Sequence, residues 1–337
     1  MYHIMNKIII FILLPFFGIA QQTFNFNHDG TPREYIFYSP NNIGINSPLV
    51  FVAHGYTGSA QDIMNYSGMN ALADQYGFAV CYPQGTFDSW GNRFWNVGYD
   101  FTTNSTIDDV DFIVSLASYL QSTYNLSSEN SFFTGMSNGA ELSYLLACEA
   151  TNNFRAFAPV AGTIFPNGLN NNICNPTNGV PIFEIHGLND NVTLFEGDEN
   201  DQFWGPYLAI DSIISFWVNE NQLTNLIIDT FPNFNNPNKK TISYKYSDEN
   251  SENQVWLYTH QSGHNWGDDG DMIIEEEIWN FFQAHIVNST LTYESDKKRK
   301  KLIGVKDLLG RESAIKKKQP LFYFYDDGTV QKKLIIN

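Results

Sequence analysis

Six short apolar runs alternate along this chain with stretches of helical periodicity, and that alternation limits its fold more than any other feature. The runs are PLVFVAHG (48–55), GFAVCYPQG (77–85), SFFTGMS (131–137), FRAFAPVAG (154–162), PIFEIHG (181–187) and VWLYTH (255–260). Between them lie a helical stretch around 60–75, IDDVDFIVSLASYLQSTY, ELSYLLACEA, IDSIISFWVNEN and MIIEEEIWNFFQAHI. Strands followed by helices at this spacing imply right-handed crossovers and a mostly parallel sheet covered by helices on both faces. The expectation is one α/β domain over residues 21–288, and 43% apolar residues are enough to fill its core.

The two ends have a different texture. Residues 1–20 carry Lys7, then IIIFILLPFFGIA with small residues at Gly18 and Ala20, the pattern of an export signal. After residue 288, NSTLTYESDKKRKK is polar and aperiodic and reads as a linker over 289–301. Residues 302–337 read as a small β unit, with a hairpin signal at Asp327-Gly328. Charge follows the same division: residues 21–288 hold six basic and 30 acidic residues, whereas residues 289–337 hold 12 basic and six acidic. A body this acidic repels nucleic acid, which is excluded as a partner, and anionic membrane. No stretch after the signal is long and apolar enough to span a bilayer.

An exported chain meets oxidising surroundings, and three cysteines then imply one disulfide and one free thiol. Cys81 sits in the apolar run FAVCY and reads as a buried strand residue, which pairs Cys148 with Cys174. No Cys/His spacing suggests zinc, and GDDGD (267–271) lacks the full calcium-loop pattern, so neither metal nor cofactor is expected.

Gly135-Met136-Ser137-Asn138-Gly139 fits G-x-S-x-G between a strand and a helix. In that context a sharp turn lifts the serine hydroxyl above the sheet, and the following helix aims its first amides at a developing oxyanion. Ser137 is therefore a candidate nucleophile, although a small polar residue in a tight turn would share the pattern. A serine needs a base. His264 is the best placed of seven histidines, in a loop directly after VWLYTH, with His260 at the strand end as its rival. Asp190, three residues beyond His186-Gly187, is placed to hold the imidazole; Glu196, Asp198, Glu199 and Asp201 are rivals that read as solvated charge. The chain order Ser137, Asp190, His264 is that of the α/β-hydrolases. The backbone N–H groups of Tyr56 and Asn138 are the expected oxyanion donors. Trp90, Phe94 and Trp95, with Trp266 beside His264, either line a cleft or pack their loops. Trp95, Trp266 and His54 are the expected substrate-facing residues, while His54 also reads as a histidine bracing its own loop.

VAHGYTGSA, YPQG, DDVDFI, GMSNGA, LACE, APVAG, IHGLND and GHNW occur together and in order. In this the chain resembles secreted polyhydroxybutyrate depolymerase-like and feruloyl or acetylxylan esterase-like enzymes of carbohydrate esterase family 1, over about residues 25–288. The resemblance implies an α/β-hydrolase fold, a Ser137–Asp190–His264 triad, an oxyanion hole at 54–56, and the Cys148–Cys174 bridge. It implies hydrolysis of feruloyl or acetyl esters on polysaccharide, with a polyester as the other substrate class. A non-catalytic surface-binding protein is the reading of a different kind. The acidic HNWGDDGDM departs from many relatives, which have proline after the tryptophan. VKDLLGRE and PLFYFYDDGTVQKKLII resemble the type A C-terminal sorting domain of type IX secretion, which implies that export machinery as a partner and delivery to the cell surface or medium.

Overall fold

The computed structural model describes residues 23–165, 174–232, 236, 239–267 and 273–287, and further on residues 302–307, 310–313, 320–325 and 330–334. The export-signal expectation (1–20), the linker (289–301) and the Asp327-Gly328 turn lie outside the described residues. The chain divides into two compact units, 1–287 and 288–337.

In the first unit ten strands form one sheet in the order β1-β2-β4-β3-β7-β8-β9-β12-β11-β10. Its centre comprises β3 (Leu49–Ala53), β4 (Ala79–Pro83), β7 (Ser131–Met136), β8 (Ala156–Val160), β9 (Ile182–Gly187) and β12 (Val255–His260). These six are mutually parallel. They are the six apolar runs of the sequence, continuous in hydrophobicity because both faces of each strand are covered. Successive side chains of a strand point to opposite faces. In β3, Leu49, Phe51 and Ala53 enter one core cluster while Val50 and Val52 enter the other.

Helices cover both faces. The Leu49 face is packed by α3 (Asp109–Tyr124), α4 (Asn138–Glu149) and α5 (Ile210–Glu220), through Phe112, Leu116, Leu142, Leu146, Ile213 and Trp217. The Val50 face is packed by α1 (Ala60–Tyr66), α2 (Met69–Tyr76) and α6 (Ile274–Ala284), through Ile63, Met64, Leu72, Ile278 and Phe282. The helix expected around 60–75 is two helices, because Gly68 at φ 68° turns the chain between them. α3 is capped by the Asp108 side chain, which accepts from the Asp111 amide, and ends at Asn125 in the left-handed conformation.

Antiparallel strands extend the sheet at both ends. β1 (Thr23–His28) and β2 (Thr31–Tyr38) form a hairpin that joins β4, and β11 (Lys240–Ser247) and β10 (Asn225–Pro232) follow β12. A short ribbon of β5 (Thr86–Phe87) and β6 (Arg93–Phe94) stands apart from the sheet. Cys148 and Cys174 form a disulfide, and Cys81 is free and buried in β4.

The second unit contains an antiparallel sheet of β13 (Leu302–Lys306), β14 (Pro320–Tyr325) and β15 (Val330–Leu334). Among the described residues no helix is long and apolar enough to cross a membrane.

Candidate active site

Ser137 follows β7, Asp190 lies three residues after β9, and His264 lies four residues after β12. All three therefore emerge at the C-terminal edge of the parallel strands, where an α/β sheet of this kind carries its ligand crevice.

Ser137 has φ 56° and ψ −123°, a backbone region that residues with a side chain rarely occupy. Its carbonyl accepts from the Ala140 and Glu141 amides as α4 begins, and its own amide is held by the Val160 carbonyl of β8. Gly135 and Gly139 allow the turn to press against β3: a Cβ on Gly139 would fall on the Ala53 carbonyl, and one on Gly135 would lie 2.5 Å from the Gly139 carbonyl oxygen. The serine is half-buried and sits on a rigid mount.

His264 Nδ1 lies 2.7 Å from Asp190 Oδ2. Asp190 Oδ1 accepts from the amides of Val192 (2.8 Å) and Thr193 (2.9 Å), so both carboxylate oxygens are engaged. Burial on its own would raise the Asp190 carboxyl, but His264 and the two amides bring it below its ordinary value. Among the described residues His264 Nε2 has no hydrogen-bonding partner, Ser137 Oγ included. The two loops run side by side: the Leu188 amide donates to the His260 carbonyl, and the Asn189 amide to the Ser262 carbonyl. Gly187 permits this approach, because a Cβ there would lie 2.5 Å from the carbonyl oxygens of Ser262 and Gly263.

The loop after β3 lies against the serine. A Cβ on Gly55 would stand 3.2 Å from Ser137 Cβ. The Thr57 amide donates to the Arg93 carbonyl and the Gly58 amide to the Gly55 carbonyl, whereas the Tyr56 amide between them has no acceptor among the described residues. The Asn138 amide, at the first position of α4, likewise lacks an intrahelical acceptor. Two free donors thus flank the serine.

The expected substrate-facing residues require correction. His54 (1% exposed), Trp95 (0%) and Trp266 (2%) are buried, and none offers a face to a ligand. His54 Nδ1 donates to the Gly55 carbonyl at 2.7 Å and its Nε2 accepts from the Gly85 amide at 3.0 Å. Burial, aided by Arg93, pushes its pKa down to about 4 although the Gly55 carbonyl and Asp62 oppose the shift, so it stays neutral. Trp95 Nε1 donates to the His54 carbonyl, and its backbone is gripped at both N–H and C=O by the Asn138 side chain. Trp266 packs in the core with its amide on the Tyr66 hydroxyl. These residues hold the loops from beneath.

Phe94 is buried too, and of the four loop aromatics noted in the sequence only Trp90 is exposed. It stacks on Phe203 at 5.9 Å and lies 4.7 Å from Phe101, while Tyr56 meets Trp204 edge-on at 5.1 Å. This group joins the loop after β4 to the loop after β9. Its members from the second loop, Phe203 and Trp204, stand in an acidic segment that gave no sequence signal of an aromatic surface.

Among the described residues one group has metal-ligating geometry, His28 and Asp29 at the β1–β2 turn with Asp111 of α3. His28 Nε2 is already bonded to Asp111 Oδ2 at 2.8 Å.

Residues 33–174 match the family described as esterase PHB depolymerase. The chain is 28% identical over 186 residues to the bifunctional acetylxylan esterase/xylanase XynS20E of Neocallimastix patriciarum, covering 53% of this chain and 26% of that protein. It is 29% identical over 163 residues to probable acetylxylan esterase A of Aspergillus fumigatus, covering 48% of this chain and 43% of that protein. The chain thus spans about a quarter to under a half of the length of these two relatives. The solved acetyl xylan esterase from Aspergillus awamori superposes with a TM-score of 0.55 at 18% identity, covering 78% of this chain and 99% of that one. The chain has the α/β-hydrolase fold and, over residues 33–174, is similar in sequence to the esterase PHB depolymerase family.

Proposed function

We propose that the protein is a serine esterase, and the observation that carries this reading is the His264–Asp190 contact at the same sheet edge as a serine on a positive-φ strand-to-helix turn. Ser137 Oγ attacks the ester carbonyl as His264 Nε2 takes its proton. Asp190 stays ionised and stabilises the imidazolium. The Tyr56 and Asn138 amides receive the oxyanion. His264 then protonates the leaving alcohol, and water activated by the same imidazole releases the acid from Ser137.

Acetyl or feruloyl groups on plant or algal polysaccharide are the proposed substrates, and the acetylxylan esterases among the relatives support the acetyl ester most directly. The match to the esterase PHB depolymerase family supports a polyester as the second reading. Delivery outside the cell rests on the sequence of residues 1–20 and on the likeness of residues 302–337 to a type A sorting domain.

The test is hydrolysis of p-nitrophenyl acetate by the purified protein, with Ser137→Ala as control. Turnover by the wild type and none above background in the variant is expected; equal rates would move the chemistry to another residue. A folded wild type inactive on every short aryl ester would leave the non-catalytic reading. Rates on acetylated xylan, methyl ferulate and polyhydroxybutyrate film then separate the substrates. Deletion of residues 302–337 should abolish surface delivery while activity persists, and retained delivery would refute the sorting role.

A further inference from the structure

Beneath the Asp190 loop lies a buried file of polar side chains that the proposed chemistry does not use. Tyr144 of α4 donates its hydroxyl to Glu184 Oε2 at 2.8 Å. Glu184 Oε1 lies 2.8 Å from His186 Nδ1. His186 Nε2 lies 2.9 Å from the Thr193 carbonyl and 3.6 Å from Asp190 Oδ2. All three side chains are fully buried, in surroundings where a carboxyl and an imidazole are costly unless paired.

The protons can be placed. The Thr193 carbonyl only accepts, so Nε2 carries a hydrogen. Glu184 accepts from the Tyr144 hydroxyl and the Gly162 amide. Burial, the largest influence, leaves the Glu184 carboxyl raised, while its two donors and the His186 ring favour the ionised form, which accepts toward Nδ1 as well.

We propose that His186 is a positioning residue of the site: an imidazolium set between the Glu184 and Asp190 carboxylates, which anchors the Asp190 loop and tempers the charge that Asp190 presents to His264. The inference rests on the triad reading given above. Burial alone would lower the imidazole's pKa; the Glu184 carboxylate, the Thr193 carbonyl and Asp190 outweigh it and raise the value. The groups around the ring come from several elements. Glu184 shares its strand, and Tyr144 and the Gly162 amide reach it through Glu184. Asp190 and the Thr193 carbonyl come from the following loop, and the Phe195 ring stands edge-on at 5.9 Å. His260 closes β12 beside Gly187.

Asp190 Oδ2 thus faces two imidazoles, the His264 ring at 2.7 Å and the His186 ring at 3.6 Å. A cation on the His186 side offsets part of the negative charge that Asp190 presents to His264.

The test replaces the ion pair as a unit, His186→Gln with Glu184→Gln, because removing one partner would strand a buried charge. Against p-nitrophenyl acetate, kcat is expected to fall about tenfold with KM little changed, as a displaced loop would cause. The acid limb of the kcat/KM profile should move up by about half a pH unit. An unmoved limb with unchanged kcat would overturn the proposal. Nitrogen-15 spectra of the wild-type histidine rings give a second readout that needs neither the variant nor catalysis. Both His186 nitrogens should be protonated across the neutral range, and a neutral ring overturns the proposal even if the double variant does not fold. If the wild type hydrolyses no ester, the functional reading fails by its own assay; if it hydrolyses ester with a neutral His186, this proposal alone fails.

Discussion

His264 Nδ1 and Asp190 Oδ2 stand 2.7 Å apart across 74 residues of sequence, and the aspartate's other oxygen is held by two backbone amides. The carboxylate accepts the Nδ1 hydrogen and leaves Nε2 as the imidazole's acceptor. Asp190→Asn preserves the shape but presents an amide that can donate to Nδ1, which favours the wrong tautomer. We expect kcat on p-nitrophenyl acetate to fall on the order of 10⁴-fold, as the same exchange does in a serine protease. Steady-state kinetics of the folded variant checks this, and a loss of less than about tenfold would remove Asp190 from the proposed triad.

The buried His54 makes stability depend on pH. Its value in the folded protein is about 4, against 6.5 for the ordinary side chain. A histidine with a lowered folded value stabilises fully above its unfolded value, and the gain is lost as pH falls, because the unfolded chain then binds a proton that the folded chain refuses. The loss between about pH 6.5 and pH 4 is on the order of 3 kcal/mol. Urea midpoints at neutral and mildly acid pH should show it, and His54→Gln should flatten the slope.

Glu141 works in the opposite direction. Burial raises its carboxyl to about 7 from an ordinary 4.5, although Tyr99 and Asn138 donate to it and pull the other way. An acid with a raised folded value weakens the fold as pH climbs from 4.5 to 7, because the unfolded chain ionises first. Glu141→Gln should therefore stabilise the protein by up to about 3 kcal/mol at about pH 8 and by little at about pH 4. Thermal melts at the two pH values decide it; equal effects at both would show that folding does not shift the Glu141 carboxyl.

The bridge between Cys148 and Cys174 closes a span of 26 residues. By chain entropy its removal should cost about 3.5 kcal/mol. Cys148→Ser with Cys174→Ser, or reduction of the wild type, should lower the urea midpoint to the same value. A double variant as stable as the oxidised protein would contradict this.

The parts legible in the sequence were those with a local cause. Six apolar runs became the six central parallel strands because a strand buried on both faces has no polar alternation. Ser137, Asp190 and His264 could be placed because each follows such a run by a few residues. The outer strands β10 and β11 were missed, since their exposure breaks the continuous apolar pattern, and the β1–β2 hairpin was overlooked although Asp29-Gly30 marks its turn. Trp95 and Trp266 were expected to face substrate because an aromatic in a polar loop looks solvent-facing until tertiary packing covers it, whereas His54 braces its own loop, the other reading its position allowed. The Tyr144–Glu184–His186 file left no pattern at all, because its members come from a helix and a strand whose contact only the fold creates.

Gly135 and Gly139 fit the Ser137 turn so closely to β3 that the serine has nowhere else to go. The hydroxyl proposed to react is in that sense inherited with the scaffold, and drift cannot retune it without opening the sheet. Diversification is left to the segments that carry Trp90, Phe101 and Phe203, which can change residue by residue while the turn beneath them stays constant. On the proposed function, new ester preferences in chains of this design would therefore arise in those segments, with the serine turn handed down unaltered.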